Sequence, residues 1–325
     1  MRVTRTLGLA AAAVAIAGLS LLGAACKGEQ KDGDGDGAGD DKAARARFAY
    51  LPTQSNFVIG FDVAQLTASP LFTDLIEPKL EEATGDRYAA VRTACLSKLS
   101  SVVVGGQSGR GKVAVMAARG LDQEQLRRCS AALDDVPEDE VTVTQEGKDG
   151  AVTKLVSGGD TLWVGTLPDK TLVTQPNASG AATIETILAR TGGLSDNPDM
   201  MALVDATDTK ASLWFAFQNP SGDEAVTGVP YKTKSARGSL RVSDGLTLDV
   251  VAQAETAEAA EKMVTAVQAQ LEAAKQTPYG AIAENLQIRA KDDEVTVKLA
   301  LTRADIDALL PVLSQLAPML RGLVR

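Results

Sequence analysis

From residue 48 onward the chain alternates short apolar runs of strand length with longer stretches whose apolar residues recur every three or four positions. The run at 57–63 predicts a buried strand. A helical stretch follows over 69–99, which Pro78 is expected to divide into two helices. Strands are predicted at 101–107 and 112–119 around a glycine-rich turn, then a helix at 122–133. A hairpin at 141–146 and 151–157 turns at Gly147-Lys148-Asp149-Gly150, and strands at 161–166 and 171–175 extend the sheet. A helix at 184–190 closes this half, ended by Thr191-Gly192-Gly193.

The second half repeats the grammar. A short helix at 199–205 precedes a strand at 211–218 and a long polar loop at 220–234. A hairpin at 236–242 and 246–254 turns across Ser243-Asp244-Gly245, where an Asp-Gly pair tolerates positive φ. The helix at 256–275 has Glu255, Glu258 and Glu261 near its positive end. A hairpin at 285–291 and 294–301, turning at Asp292-Asp293, leads into a last helix capped by Thr302 with Asp305. Its stripe of Ile306, Leu309, Leu310, Leu313, Leu316, Leu320 and Leu323 keeps helical spacing, while Pro311 and Pro318 interrupt it. Packing across its own sheet is the expected fate of that stripe, ahead of a partner groove or a membrane surface.

Strand, strand, helix thus recurs three times. The expected fold class is α+β, with two related lobes of antiparallel sheet, 48–193 and 194–325, and helices gathered on one face. One continuous sheet satisfies the same pattern.

Upstream of the folded part, residues 1–25 have the three parts of an export signal: Arg2 and Arg5, an apolar core from Leu7 to Leu22, and small residues before Cys26. Gly23-Ala24-Ala25-Cys26 resembles the lipobox of bacterial lipoproteins, with Gly23 where the commonest form has Leu. The resemblance implies that Cys26 is acylated and becomes the mature N-terminus. An ordinary secretory leader and an uncleaved membrane helix are the alternatives, and the Ala and Gly content of the run disfavours the latter. Each buried methylene adds about 0.8 kcal/mol, so two or three acyl chains hold the protein at the bilayer almost permanently. Lys27 follows the cysteine where Asp would signal inner-membrane retention, which by the same resemblance implies the outer membrane where the cell has one. Residues 26–47 form an acylated cysteine and a Gly/Asp-rich tether, too poor in apolar residues to order itself. Its typical reach is roughly 25 Å.

Loss of Arg2 and Arg5 with the leader takes the formal net charge from -9 to -11, which argues against nucleic acid as a partner. The chain contains no histidine, so no Ser-His-Asp or Cys-His machinery can form, and no serine has the Ser-x-x-Lys spacing. Cys95 and Cys129 remain as an even pair in an oxidising compartment and are expected to bond, with two buried thiols as the alternative.

Several apparent motifs carry little chemistry. Gly106 to Lys112 fits the first seven positions of a phosphate loop, but Val113 replaces the magnesium-binding hydroxyl and the chain continues as a strand. Asp32 to Gly37 copies the opening of a calcium loop, yet Ala43 occupies the position of its bidentate Glu. Asp134-Asp135, Glu138-Asp139-Glu140 and Asp292-Asp293-Glu294 fall in turns and are expected to be solvated. Asn177-Ala178-Ser179 matches a glycosylation acceptor, a match that the resemblance to a bacterial lipobox makes uninformative. Trp163 and Trp214 are expected to be sheet packing. No cofactor, metal or catalytic residue is expected. The function expected is a non-catalytic, membrane-tethered envelope lipoprotein acting as an interaction or structural module, with an envelope protein as partner. A carrier of a lipid or other apolar ligand is the alternative, and a carboxylate-dependent hydrolase stands behind both.

Overall fold

The computed structural model describes residues 45–107, 114–176, 178–219, 232–277 and 280–309. In chain order the strands are β1 (Phe57–Asp62), β2 (Ser101–Gly106), β3 (Ala114–Arg119), β4 (Thr142–Glu146), β5 (Val152–Ser157), β6 (Asp160–Thr166), β7 (Thr171–Thr174), β8 (Leu213–Gln218), β9 (Thr233–Val242), β10 (Leu246–Ala254), β11 (Gln287–Lys291) and β12 (Glu294–Leu301). All twelve join one open antiparallel sheet in the order β11-β12-β10-β9-β8-β1-β2-β3-β7-β6-β5-β4. The fold is α+β, as the strand and helix pattern predicts.

The two halves meet at β1 and β8, paired from Phe57↔Phe217 to Phe61↔Leu213. Each is the first strand of its half and would otherwise be an open edge; pairing them satisfies both rows of backbone groups. The plan repeats outward from this seam. On one side β1, β2 and β3 lie in order, and β7 returns beside β3; on the other, β8, β9 and β10 lie in order, and β12 returns beside β10. The hairpin β4–β5 is the addition that makes the N-terminal half larger.

The helices are a short one at 45–48, α1 (Val63–Ala68), α2 (Glu77–Thr84), α3 (Asp86–Val91), α4 (Gln123–Asp134), α5 (Ala181–Leu188), α6 (Pro198–Asp205), α7 (Ala257–Ala274), α8 (Gly280–Asn285) and a last one at 303–309. The expectation of helices on one face holds for α4, α7 and 303–309. There α4 covers Leu155, Val164 and Leu172, α7 covers Ile288 and Val295, and Ile306 and Leu309 cover Leu240, Leu248 and Leu299. A second layer lies on the opposite face, where α5, α6 and the entry residues Phe48 and Leu51 bury Val58, Val103, Val115, Ala117, Val173 and Trp214. Strands apolar on both parities, such as β1 and β2, require that second cover.

Local chemistry sets most helix ends. Asp122 Oδ1 accepts from Gln125 N at 2.9 Å while Gln125 Oε1 accepts from Asp122 N at 2.9 Å, a reciprocal cap on α4. Thr256 caps α7, and Thr302 with Asp305 caps the last helix as expected. The helical run before β2 starts earlier than its apolar spacing predicts, because Asp62 accepts from Gln65 N at 2.8 Å and caps α1. It breaks at Gly85, whose φ of 60° lies in the left-handed region, and not at Pro78, which sits in the first turn of α2 where an N–H is dispensable. The turn at Ser243-Asp244-Gly245 needs no positive φ; in the last hairpin Asp292 adopts one at 53°.

Cys95 and Cys129 form a disulfide, with Cα atoms 4.9 Å apart. It ties the π-helical turn Arg92–Leu96, which follows α3, to the middle of α4.

Candidate apolar docking face

On the face that carries α4 and α7, the four central strands β8, β1, β2 and β3 hold side chains that belong to none of the hydrophobic cores formed among the described residues. The registers Phe57↔Phe217, Ile59↔Phe215, Ile59↔Val104 and Val104↔Met116 bring them together, with Phe61 and Val102 completing the patch. All eight are only partly buried. The chain has six phenylalanines, and four of them stand here, so the aromatic content is concentrated on one patch. Gly238 assists: a Cβ there would lie 2.8 Å from Phe215 Cε1, so its absence lets the ring lean over β9.

From β8 to β3 are three interstrand steps, about 14 Å, and Phe57 to Phe61 spans about 14 Å along the strand. Walls rise on three sides. The core under α4 bounds the patch at β7, and the cores under 303–309 and α7 bound it at β9 and β10. At the Phe61 end the helical run 63–96 crosses the face, with Leu66, Leu71 and Leu75 joining one wall and Val91, Ala94 and Cys95 the other. The disulfide is therefore part of the frame. A floor of apolar side chains between helical walls can hold an apolar guest.

Elsewhere the polar groups are largely paired among themselves. On the opposite face a cleft of about 350 Å³ lies between Thr207 and the polar side of β9 and β10. Its Arg241 pairs with Asp208 at 2.6 Å, Arg237 donates to the Ala206 carbonyl at 2.8 Å, and Asp249 pairs with Lys298 at 2.7 Å. A second cleft, about 460 Å³, lies between α7, α8 and the β11 edge. Among the described residues no group of three or more Cys, Asp or Glu is placed to hold a metal ion, and no helix is long and apolar enough to cross a membrane.

Glu77, 6% exposed, accepts from Arg92 Nε at 2.7 Å and from the Tyr88 hydroxyl at 3.3 Å. Burial first, then the Glu77 charge and hydrogen bond, push the Tyr88 phenol up to about 12. Because the folded value exceeds the unfolded one near 10, this contribution to stability is intact below pH 10 and fades as pH rises toward 12. Spectrophotometric titration should show one late phenol that Tyr88→Phe abolishes; a full complement ionising near 10 would refute the burial. Glu124, between Arg127 and Arg128, is held down to about 2 by their hydrogen bonds.

Of the residues singled out in the sequence, Cys95 and Cys129 are bonded and Trp214 is core, 4% exposed, edge-on to Phe48. Trp163 packs at the margin of the same core with Lys154 Nζ 5.4 Å from its ring. Glu138 pairs with Arg127 at 2.9 Å, and Asp293 accepts from Gln253 at 3.3 Å and lies 3.4 Å from Lys234. Cys26, the calcium-like run 32–43, Asn177 and residues 108–112 of the phosphate-like loop lie outside the described residues. The docking face went unrecognised in the sequence because alternation in β1 and β8 marks two apolar faces without telling which one a helix covers. The only available signal was the clustering of Phe57, Phe61, Phe215 and Phe217 in two strands. No family model matches the chain, and neither a curated protein nor a solved structure matches it.

Proposed function

We propose that this is a non-catalytic lipoprotein of the cell envelope, held to the membrane by acyl chains on Cys26, in the outer membrane where the cell has one. It acts as an interaction module whose working surface is the Phe57/Phe215 patch, and its partner is an envelope protein that presents an apolar segment. The observation that carries this reading is the patch: eight apolar side chains, partly exposed, on the central strands between helical walls. An exposed contiguous apolar surface is a feature that monomeric proteins keep small unless it is used. The described chain enters the body on the opposite face, where Phe48 and Leu51 join the core and Arg45 pairs with Asp205 at 2.8 Å, so residues 45–51 do not lie over the patch. The absence of histidine and the acidic net charge favour a binding role without nucleic acid.

A photo-crosslinking residue at Phe57 or Phe215, introduced in cells, is expected to give adducts heavier than the protein. One at Thr247, exposed on the polar face, should give none. Adducts absent from all three positions would sink the reading. The carrier reading is second, favoured because the floor of the patch holds no hydrogen-bonding side chain. Native mass spectrometry of the Cys26→Ser chain decides it: a bound lipid mass supports a carrier, a clean protein mass removes it.

A further inference from the structure

We infer that the resident occupant of this patch is the chain's own C-terminal segment, residues 310–325, which an outside guest must displace. The inference rests on the patch being the working surface, and it names how that surface is regulated.

Three observations converge. First, the last described helix delivers the chain to the right place: Ile306 and Leu309 are buried against Leu240, Leu248 and Leu299, and Leu213 and Val250 pack on the same cluster. Leu213 belongs to β8 and shares a face with Phe215 and Phe217, so the chain leaves Leu309 beside the patch margin. Second, the reach suffices. Sixteen residues remain, about 24 Å if helical, more than the patch's breadth of about 14 Å in either direction, and one helix about 10–12 Å across covers most of its width. Third, the chemistry agrees. Leu313, Leu316, Leu320 and Leu323 continue the spacing of Ile306 and Leu309, a stripe that needs an apolar partner. Among the described residues the patch is the apolar surface next to Leu309 that no core occupies. A helix laid into a walled groove by such a stripe is a recurrent mode of recognition. Here its effective concentration is set by direct covalent continuity, so a free guest competes against an intramolecular ligand.

The mature chain with Cys26→Ser, exported so that Cys95 and Cys129 bond, has no free thiol, which makes paired cysteines clean reporters. Phe215→Cys with Leu316→Cys should be joined within one chain by a short bismaleimide, while Thr247→Cys with Leu316→Cys should not. Ending the chain at Leu309 should raise fluorescence of N-phenylnaphthylamine several-fold, and a peptide of residues 310–325 should reverse the rise. Should the shortened chain lose its cooperative melting, the full-length triple variant Leu313→Ser, Leu316→Ser, Leu320→Ser replaces it in the dye measurement. Absence of the first crosslink, or equal crosslinking in both pairs, overturns the inference. So does a full chain that binds the dye as strongly as the shortened one, although the patch would then stand as a binding surface. Dye binding by neither form would instead remove the reading of the patch itself.

Discussion

Gly60→Ala is expected to destabilise the protein by about 3 kcal/mol, the upper end of what one added methyl costs in a packed core. Gly60 is paired with Trp214 across the central seam, and a Cβ at Gly60 would sit 2.1 Å from Trp214 Cε2. The indole cannot yield cheaply. It is 4% exposed, and Phe48, 2% exposed, stands edge-on to it with ring centroids 6.1 Å apart. Moving the ring therefore moves the segment by which the tether joins the body. For a domain of this size the loss corresponds to a fall in melting temperature of roughly 5 °C. Gly180→Ala is the control: nothing lies within 4 Å of its Cβ, and its place before α5 limits the cost to under about 1 kcal/mol. Trp214→Leu should be far less damaging in the Gly60→Ala background than alone, because the two changes share one volume. An unchanged melting temperature for Gly60→Ala would mean that the indole does not lie over β1.

The double variant Cys95→Ala, Cys129→Ala is the second large effect. Cross-linking residues 34 apart removes entropy from the unfolded chain worth about 3–4 kcal/mol on the chain-entropy model. The bond also has a place in the architecture, since it pins the crossing helices 63–96 to α4 and so frames one side of the docking face. Both sulfurs are in a buried cluster, with Cys95 5% and Cys129 7% exposed, so a reductant should act only as fast as this wall opens. Chemical denaturation is expected to show the full loss in the double variant, and the wall's loosening should raise dye binding at the patch. Two thiols titrating in the oxidised, denatured chain without Cys26 would contradict the bond outright.

What could be recognised from residues alone follows from how local each signal is. The hairpins around Gly147 to Gly150 and Asp292-Asp293, the cap at Thr302 with Asp305, and the pairing of Cys95 with Cys129 depend on near neighbours or on simple counting. Local signals compete at Pro78 and Gly85: proline is harmless in a first turn, and Gly85 in the left-handed region breaks the helix instead. Asp244-Gly245 had the composition of a positive-φ turn without needing one.

The sequence by itself determined the class of fold, the alternation of hairpins with helices, the disulfide partners and the absence of histidine chemistry, because composition and short-range periodicity carry these. Only the tertiary structure decided that β1 pairs with β8 to fuse two halves into one sheet, and that helices cover both faces yet leave Phe57, Phe215 and their neighbours unclaimed by any core among the described residues. Strand partners far apart in the chain and the choice of which apolar face is buried are set by the packing of the whole. An alternating strand records that it has two sides and nothing about what lies against either.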